Sequence, residues 1–279
     1  MLFSKSLLII IMSSLLFLSC EMYKGPPRPY SGLLAYAGET YKLWLPPDFE
    51  ENLERSITYP LVIALHGRTS LTDHYFQPCI VNDEQQRNEY PCVYVAPNNS
   101  DKGFGENAQW IRKLIHRIIE DREYRIDTNR IYIIGFSMGA HGATYMAQDL
   151  YSDYAYLTAG IVPVGGGVYE YMRSPEVLNN TAMWTNYGLE GDYSQESDYT
   201  AAKKYNSSAS ETVVNDFVSY TGWDNEEYTY FRETRTLTRI DGVEIFKIST
   251  YDGMGHSSSP VFKDPKVLNW LFDQTLLNR

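Results

Sequence analysis

The sequence is poor in the residues on which several common functions depend. It has 3 cysteines, 5 histidines and fewer basic than acidic residues, 24 Lys and Arg against 35 Asp and Glu. The cysteines and histidines are not spaced as a zinc site requires, so we expect no bound metal. A formal net charge of −11 is the opposite of the basic surface that nucleic acids need. We therefore expect no nucleic-acid partner.

The sequence also lacks an apolar run of the roughly 20 residues that span a bilayer. Its apolar stretch, Leu7–Leu18, is twelve residues long, follows Lys5 and leads to Cys20. This pattern resembles a bacterial lipoprotein signal, which implies that residues 1–19 are removed and that Cys20 carries a lipid. The alternatives are a conventional secretory signal and an uncleaved anchor. We expect an exported protein, periplasmic or at the cell surface, which the lipid alone holds at a bacterial membrane.

The rest of the sequence divides into a short tether and one domain. Residues 20–32 are rich in Pro and Gly, which is typical of an extended linker. Residues 33–279 contain no internal repeat and form the predicted domain. Cys79 and Cys92 are the remaining cysteines, and such a pair in an exported protein predicts a disulfide.

The apolar pattern of the domain predicts an α/β fold. Continuous apolar runs at residues 61–65 and 91–97 are typical of strands buried on both faces. Residues 108–122 and 263–277 instead carry apolar residues at helical spacing. Buried strands that alternate with helices predict a mostly parallel sheet with helices on both faces. The polar, tyrosine-rich segment 197–240 fits neither pattern clearly.

One segment has the pattern of a catalytic strand, turn and helix. The apolar run Ile131–Ile134 leads to Gly135-Phe136-Ser137-Met138-Gly139, and small residues at helical spacing follow. A serine at such a tight turn is held exposed beside the N–H groups of the next helix, and the glycines avoid crowding. The pattern predicts Ser137 as a nucleophile and the Met138 N–H as an oxyanion donor.

A nucleophilic serine needs a base, and His256 is the best candidate. It lies in the Gly-rich loop 251–260, between a strand predicted at residues 243–250 and the last helix. A loop that follows a strand can reach a serine at the edge of the sheet. The other histidines lie in less suitable places, so we predict His256 as the base.

The acid that orients the base is less clear from the sequence. In the order serine, acid, histidine it lies between residues 137 and 256. Asp192 follows a strand predicted at residues 183–188 and is preferred. Glu190 lies two residues away and is the alternative. Asp216 and Asp224 are weaker candidates, because neither follows a predicted strand end.

The second oxyanion donor is expected from the loop after the strand at residues 61–65. This loop reads His66-Gly67-Arg68. An early loop of this kind supplies a backbone N–H in hydrolases that use a serine turn. We predict the Arg68 N–H as the donor, with Gly67 next, and we expect His66 to brace the loop.

These segments together resemble the α/β-hydrolase superfamily, and within it the secreted branch of feruloyl esterases, acetylxylan esterases, polyhydroxybutyrate depolymerases and predicted peptidases. The resemblance rests on Pro60–Gly67, on Ile126–Tyr132 leading to the serine turn, and on Gly255-His256. It implies an α/β-hydrolase fold and ester hydrolysis through an acyl-enzyme, without a cofactor. The implied substrates are small-molecule or polysaccharide esters.

Two other functions remain open at this point. One is a serine peptidase of the same fold. The other is a catalytically inactive lipoprotein that binds glycans or partners through the segment 197–240. In each case we expect a monomer.

Overall fold

The computed structural model describes residues 31–52, 56–68, 76, 78–99, 103–105, 108–168, 172, 174–192, 195–222 and 224–278. The predicted signal segment, Cys20 and most of the predicted tether lie outside these ranges. Within them, no helix is long and apolar enough to cross a membrane.

Ten strands of the described chain form one sheet. In chain order they are β1 (Gly32–Tyr36), β2 (Glu39–Trp44), β3 (Tyr59–Leu65), β4 (Val93–Pro97), β5 (Ile126–Phe136), β6 (Gly160–Val164), β7 (Ala182–Gly188), β8 (Ser210–Thr221), β9 (Glu227–Thr238) and β10 (Glu244–Asp252). Their order across the sheet is β1-β2-β4-β3-β5-β6-β7-β10-β9-β8. The strands from β4 to β10 in this order are parallel. The pairs at both edges are antiparallel, so the predicted mostly parallel sheet is confirmed.

Eight α-helices of the described chain cover this sheet. They are α1 (Cys79–Asn82), α2 (Glu84–Glu89), α3 (Gln109–Glu120), α4 (Met138–Tyr154), α5 (Pro175–Asn180), α6 (Gln195–Tyr205), α7 (Ser259–Phe262) and α8 (Pro265–Asp273). A short 3₁₀ helix follows α3 at Arg122–Tyr124, and another follows α8 at Leu276–Asn278.

The central strands are apolar throughout because both of their faces are buried. In β3, Leu61, Ile63 and Leu65 belong to the core beneath α3, α4, α5 and α6. Val62 and Ala64 point the other way, into the core beneath α1, α7 and α8. Side chains alternate between the faces of a strand, so a continuous apolar run indicates two cores.

The segment 197–240 forms a helix and a long hairpin. Helix α6 ends at Tyr205, and β8 and β9 then pair over twelve residues each without a shift in register. The outer strand, β8, is exposed along most of its length, so it has no regular apolar pattern. The pattern was ambiguous for this physical reason.

The closing helix is shorter than predicted. Helix α8 begins at Pro265, and the Asp264 side chain caps it by accepting a hydrogen bond from the Lys266 N–H at 2.9 Å. It ends at Asp273, because Gln274 has extended backbone angles. The prediction of one helix over residues 263–277 was therefore wrong at both ends.

Cys92 is one of the two cysteines of the predicted disulfide. Its thiol is free and buried in the apolar core that also contains Ile80 and Val81. Burial raises the pKa of the Cys92 thiol to about 12. The side chain of Cys79 lies outside the described residues, so the pairing of Cys79 with Cys92 stays a prediction.

Candidate active site

Ser137 lies at the turn between β5 and α4 in a strained conformation. Its φ is +55° and its ψ is −112°, which places a residue other than glycine at positive φ. The Ser137 N–H donates to the Val164 carbonyl at 2.8 Å, and the Ala140 N–H donates to the Ser137 carbonyl at 2.9 Å. These bonds hold Ser137 in a backbone conformation that costs energy, and such strained conformations are common at catalytic positions.

Two glycines make this turn possible. A Cβ atom on Gly135 would lie 2.1 Å from the Gly139 carbonyl oxygen, and one on Gly139 would lie 2.1 Å from the Leu65 carbonyl oxygen. Real atoms cannot approach this closely. The first turn of α4 therefore packs directly on the ends of β5 and β3, and only glycine fits at either position.

His256 and Asp192 form a hydrogen-bonded pair. The Nδ1 atom of His256 contacts Oδ1 of Asp192, whose side chain is 0% exposed, whereas that of His256 is 41% exposed. The second oxygen of Asp192 accepts the Gly188 N–H at 2.7 Å. With the Nδ1–H directed at Asp192, the Nε2 atom keeps the lone pair that a general base requires.

The other acids that the sequence suggested do not contact His256. Glu190 is exposed two residues before Asp192. Asp216 binds Arg232 at 2.6 Å, and Asp224 accepts the Tyr228 hydroxyl at 2.6 Å. Among the candidates, the structure brings Asp192 alone to the histidine.

A single turn places Asp192. The Asp192 N–H donates to the Gly188 carbonyl at 3.0 Å, which closes a five-residue turn directly after β7. A Cβ on Gly191 would lie 2.4 Å from the backbone nitrogen of His256, so the turn packs closely against the loop that carries the histidine.

The serine turn and the His256–Asp192 pair lie side by side. The ring of Phe136 packs on the His256 ring, with their centroids 4.6 Å apart. Gly165 follows Val164, and a Cβ there would lie 2.9 Å from Cε1 of His256 and 3.1 Å from Oδ1 of Asp192. The side chains of Ser137 and His256 are both described, and no hydrogen bond joins them. Such bonds often tighten only when substrate binds.

Phe136 and Gly165 were not predicted as parts of this site. Gly165 begins the run Gly165-Gly166-Gly167 directly after β6. Three glycines at a strand end indicate a close approach of backbone to another group, and this signal could have identified the position.

The loop after β3 lies beside the serine. A Cβ on Gly67 would be 3.4 Å from the Ser137 Cβ. His66 is buried; its Nδ1–H donates to the Gly67 carbonyl at 2.7 Å, and its Nε2 accepts the Asn99 N–H at 3.0 Å. His66 therefore ties this loop to the end of β4, as a bracing residue does.

The two predicted oxyanion donors lie at this junction. Met138 is the first residue of α4, and Arg68 is an exposed residue of the loop that His66 braces. Neither backbone N–H donates to an acceptor within the described chain. Within the same residues, no group of three or more His, Cys, Asp or Glu is arranged to hold a metal ion.

Comparison with known proteins identifies the family. The profile of the phospholipase/carboxylesterase family matches residues 79–231, more than half of the chain. The chain belongs to this family. The match includes Ser137 and Asp192, and His256 follows it in the sequence. The predicted membership of the α/β-hydrolase superfamily is confirmed.

One curated relative is poly(3-hydroxyalkanoate) depolymerase C of Paucimonas lemoignei. The two sequences are 26% identical over 234 aligned positions, which cover 71% of this chain and 55% of the depolymerase. This chain therefore spans little more than half the length of that relative.

Solved structures show the same fold. A thermostable esterase superposes with a TM-score of 0.59 at 19% identity, covering 88% of this chain and 63% of that chain. A substrate-bound fluorophosphonate-binding serine hydrolase F of Staphylococcus aureus gives a TM-score of 0.51 at 12% identity, covering 89% and 100%. At these identities the likeness shows the α/β-hydrolase fold.

Proposed function

We propose that the protein is a serine carboxylesterase that hydrolyses esters through an acyl-enzyme on Ser137. The observation that carries the proposal is the His256–Asp192 pair beside a strained serine turn. Acyl transfer needs an acid, a base and a nucleophile, and the site offers a buried carboxylate, a half-exposed imidazole and a serine at positive φ. The three lie on loops that follow the carboxyl ends of the parallel strands β7, β10 and β5.

Each of these residues then has a defined role in the reaction. The Ser137 hydroxyl oxygen attacks the ester carbonyl carbon while Nε2 of His256 takes its proton. Asp192 accepts the Nδ1–H bond and stabilises the imidazolium that forms. The Met138 and Arg68 N–H groups donate to the oxyanion of the tetrahedral intermediate. His256 then protonates the departing alcohol, and water, activated by His256, releases the acid from Ser137.

The proposed substrates are acyl groups on polysaccharides, or related esters. The acidic composition disfavours polyanionic substrates, since like charges repel. The carboxylesterase family and a relative named as a poly(3-hydroxyalkanoate) depolymerase both support ester chemistry. The mechanism requires no metal and no organic cofactor.

The test is ester hydrolysis by the full chain. We expect turnover of p-nitrophenyl esters from acetate to octanoate, of methyl ferulate or of acetylated xylan, and the preferred chain length measures the acyl pocket. Ser137→Ala should abolish this turnover. Ser210→Ala, on the edge strand β8, is the matched control and should leave it unchanged.

The same assay separates the competing functions. Hydrolysis of peptide p-nitroanilides that exceeds hydrolysis of the matched esters would identify a peptidase instead. A folded protein that hydrolyses neither class would contradict the catalytic proposal and favour a binding protein.

We also propose that the protein is exported and anchored by a lipid on Cys20. The support is the resemblance of residues 1–20 to a lipoprotein signal, and these residues lie outside the described structure. Mass spectrometry of the mature N-terminus tests this directly. A terminal Cys20 with a lipid mass supports the anchor, and an unmodified N-terminus contradicts it.

A further inference from the structure

Strand β8 is a long edge strand with little of the usual protection against pairing. It is twelve residues long and the last strand of the sheet, and no described residue pairs with its outer side. It contains no Lys, Arg, Pro or Gly, and no bulge interrupts its register with β9. Proteins ordinarily protect an edge with such residues, with bulges or by keeping it short, because its open N–H and C=O groups pair with other chains.

β8 also exposes apolar side chains on both of its faces. Val213 is 51% exposed and Phe217 is 69% exposed on one face, and Val214 is 58% exposed on the other. Side chains on opposite faces of one strand cannot be covered by a single groove. A strand that pairs with β8 along its edge would shield both faces at once.

We propose that two copies of this chain pair through β8, antiparallel about a twofold axis at Asn215, so that their sheets join. Around such an axis a residue lies opposite itself, and positions equally distant from it face each other. Val213 then faces the partner's Phe217, and Phe217 faces the partner's Val213. The two most exposed apolar side chains on this face cover each other twice.

The charges of β8 favour this register. Its two acids are Glu211 and Asp216, and each already binds a cation of its own chain, Lys203 at 3.0 Å and Arg232 at 2.6 Å. With the axis at Asn215, Glu211 faces the partner's Ser219 and Asp216 faces the partner's Val214. No like charges are opposed.

Neighbouring registers are less favourable. An axis at Asp216 would give an overlap of the same length but would set this carboxylate opposite its own copy, which is destabilising. An axis at Val214 would set Glu211 opposite the partner's Phe217 and shorten the pairing. The Asn215 register is the longest that avoids opposed charges. The proposed dimer differs from the monomer expected from the sequence.

The first test is the molar mass of the full chain by light scattering after size exclusion. We expect twice the mass of the 32.1 kDa chain. The variant Val213→Lys/Phe217→Lys should be monomeric, with a dimer Kd raised more than about tenfold, because each change acts twice at a symmetric interface. Leu33→Lys, 58% exposed on the opposite edge strand β1, is the matched control and should remain dimeric.

Cross-linking tests the register itself. In Asn215→Cys the two thiols lie opposite each other, at the Cα separation of roughly 4.5 to 5.5 Å that a disulfide spans. We expect a covalent dimer on oxidation. Ser219→Cys, exposed on the same strand, places its thiols roughly 27 Å apart and should not cross-link. The unsubstituted chain gives the background from its own cysteines.

Several results would overturn the proposal. One is an unsubstituted chain that stays monomeric at all concentrations. This result overturns the proposal whether or not the β8 amides of the monomer are protected from hydrogen exchange. Protected amides would show that another part of the same chain covers the strand. A second is a dimer that Leu33→Lys disrupts and the β8 variant does not. A third is equal cross-linking at positions 215 and 219.

Discussion

At the scale of single residues, Asp192 is the acid best placed to orient His256. Its carboxylate is fully buried and both of its oxygens are engaged, one with His256 and one with the Gly188 N–H. Two bonds in fixed directions leave the side chain little freedom, so the imidazole it contacts is held as well. Glu190, nearby in the sequence, is exposed and has no such constraint.

We therefore expect Asp192→Asn to lower kcat by about 10⁴-fold. The amide has one acceptor oxygen in place of two, and with that oxygen on the Gly188 N–H its NH₂ group faces Nδ1 and favours the wrong tautomer. Glu190→Gln should change kcat by less than about twofold, because exposed substitutions seldom matter. Steady-state kinetics with p-nitrophenyl acetate measure both. Equal losses in the two variants would contradict the assignment of Asp192.

Cys92 offers a residue-scale test of a different kind. The pKa of its thiol is raised from 9.0 to about 12 by burial, so the thiol stays protonated in the folded protein. We expect iodoacetamide at pH 8 to label the Cys92 peptide only after unfolding, without any reductant. Labelling that requires reduction would instead establish the predicted disulfide with Cys79.

The same shift has a defined sign for stability. Above pH 9 the unfolded chain loses the Cys92 proton while the folded chain keeps it, so the free energy of unfolding falls as pH rises towards 12. Cys92→Ala should remove this part of the alkaline loss, which denaturant titrations at pH 8 and pH 10 can measure.

At the scale of elements, the loop after β6 sets the space available to the imidazole. Gly165 has a φ of +68°, and its α-hydrogen occupies the place where a Cβ would meet His256 and Asp192. Gly103 also has a φ of +68°, but no atom of the described residues lies within 4 Å of the Cβ position there. The two glycines share the backbone strain and differ in their neighbours.

Gly165→Ala should therefore lower kcat/KM more than about tenfold by displacing the His256–Asp192 pair. Gly103→Ala, with the same φ, should leave kcat/KM within about twofold, and both should lose stability of about 1 kcal/mol or more from strain at positive φ. Kinetics combined with urea unfolding separate the effects. A Gly165 variant with full activity would mean that this loop does not confine the imidazole.

The elements that the sequence predicts well are those with buried faces. The continuous apolar runs of β3 and β4, and the helical stripe of α3 with buried Ile111, Leu114 and Ile115, reflect one or two covered faces. The β8–β9 hairpin was missed because β8 is exposed on both sides and shows no apolar period. The start of α8 depends on the Asp264 cap and on Pro265, local signals that an apolar stripe does not reveal.

The site divides in the same way. The serine turn and the histidine loop have local sequence signatures, so Ser137 and His256 are identifiable from them. The choice between Asp192 and Glu190 depends on which carboxylate the turn after β7 directs inwards. That is a property of the folded turn, and the spacing of the two acids alone does not decide it.

At the scale of the whole molecule, Arg232 joins the hairpin to the rest of the fold. It is buried on β9 and binds Asp216 of β8 at 2.6 Å as well as Asp264, the residue that caps α8. One guanidinium thus connects both hairpin strands to the last helix, which follows the loop of His256. Removing it would leave the Asp264 carboxylate buried without its cation.

We expect Arg232→Met to lower the free energy of unfolding by about 3 to 5 kcal/mol, because it breaks a buried ion pair. Lys203→Ala, which removes a surface pair with Glu211, should cost less than about 1 kcal/mol. Urea unfolding of the two variants provides the comparison. A small effect of Arg232→Met would show that the hairpin is held by apolar packing instead.

The central claim is that Ser137 is the nucleophile, and covalent labelling tests it most directly. The full chain is treated with a fluorophosphonate, digested and analysed by mass spectrometry. The account predicts one adduct, on the peptide that contains Ser137, absent in Ser137→Ala and formed much more slowly in His256→Ala. An adduct on a different serine, or ester hydrolysis that persists in Ser137→Ala, would contradict it.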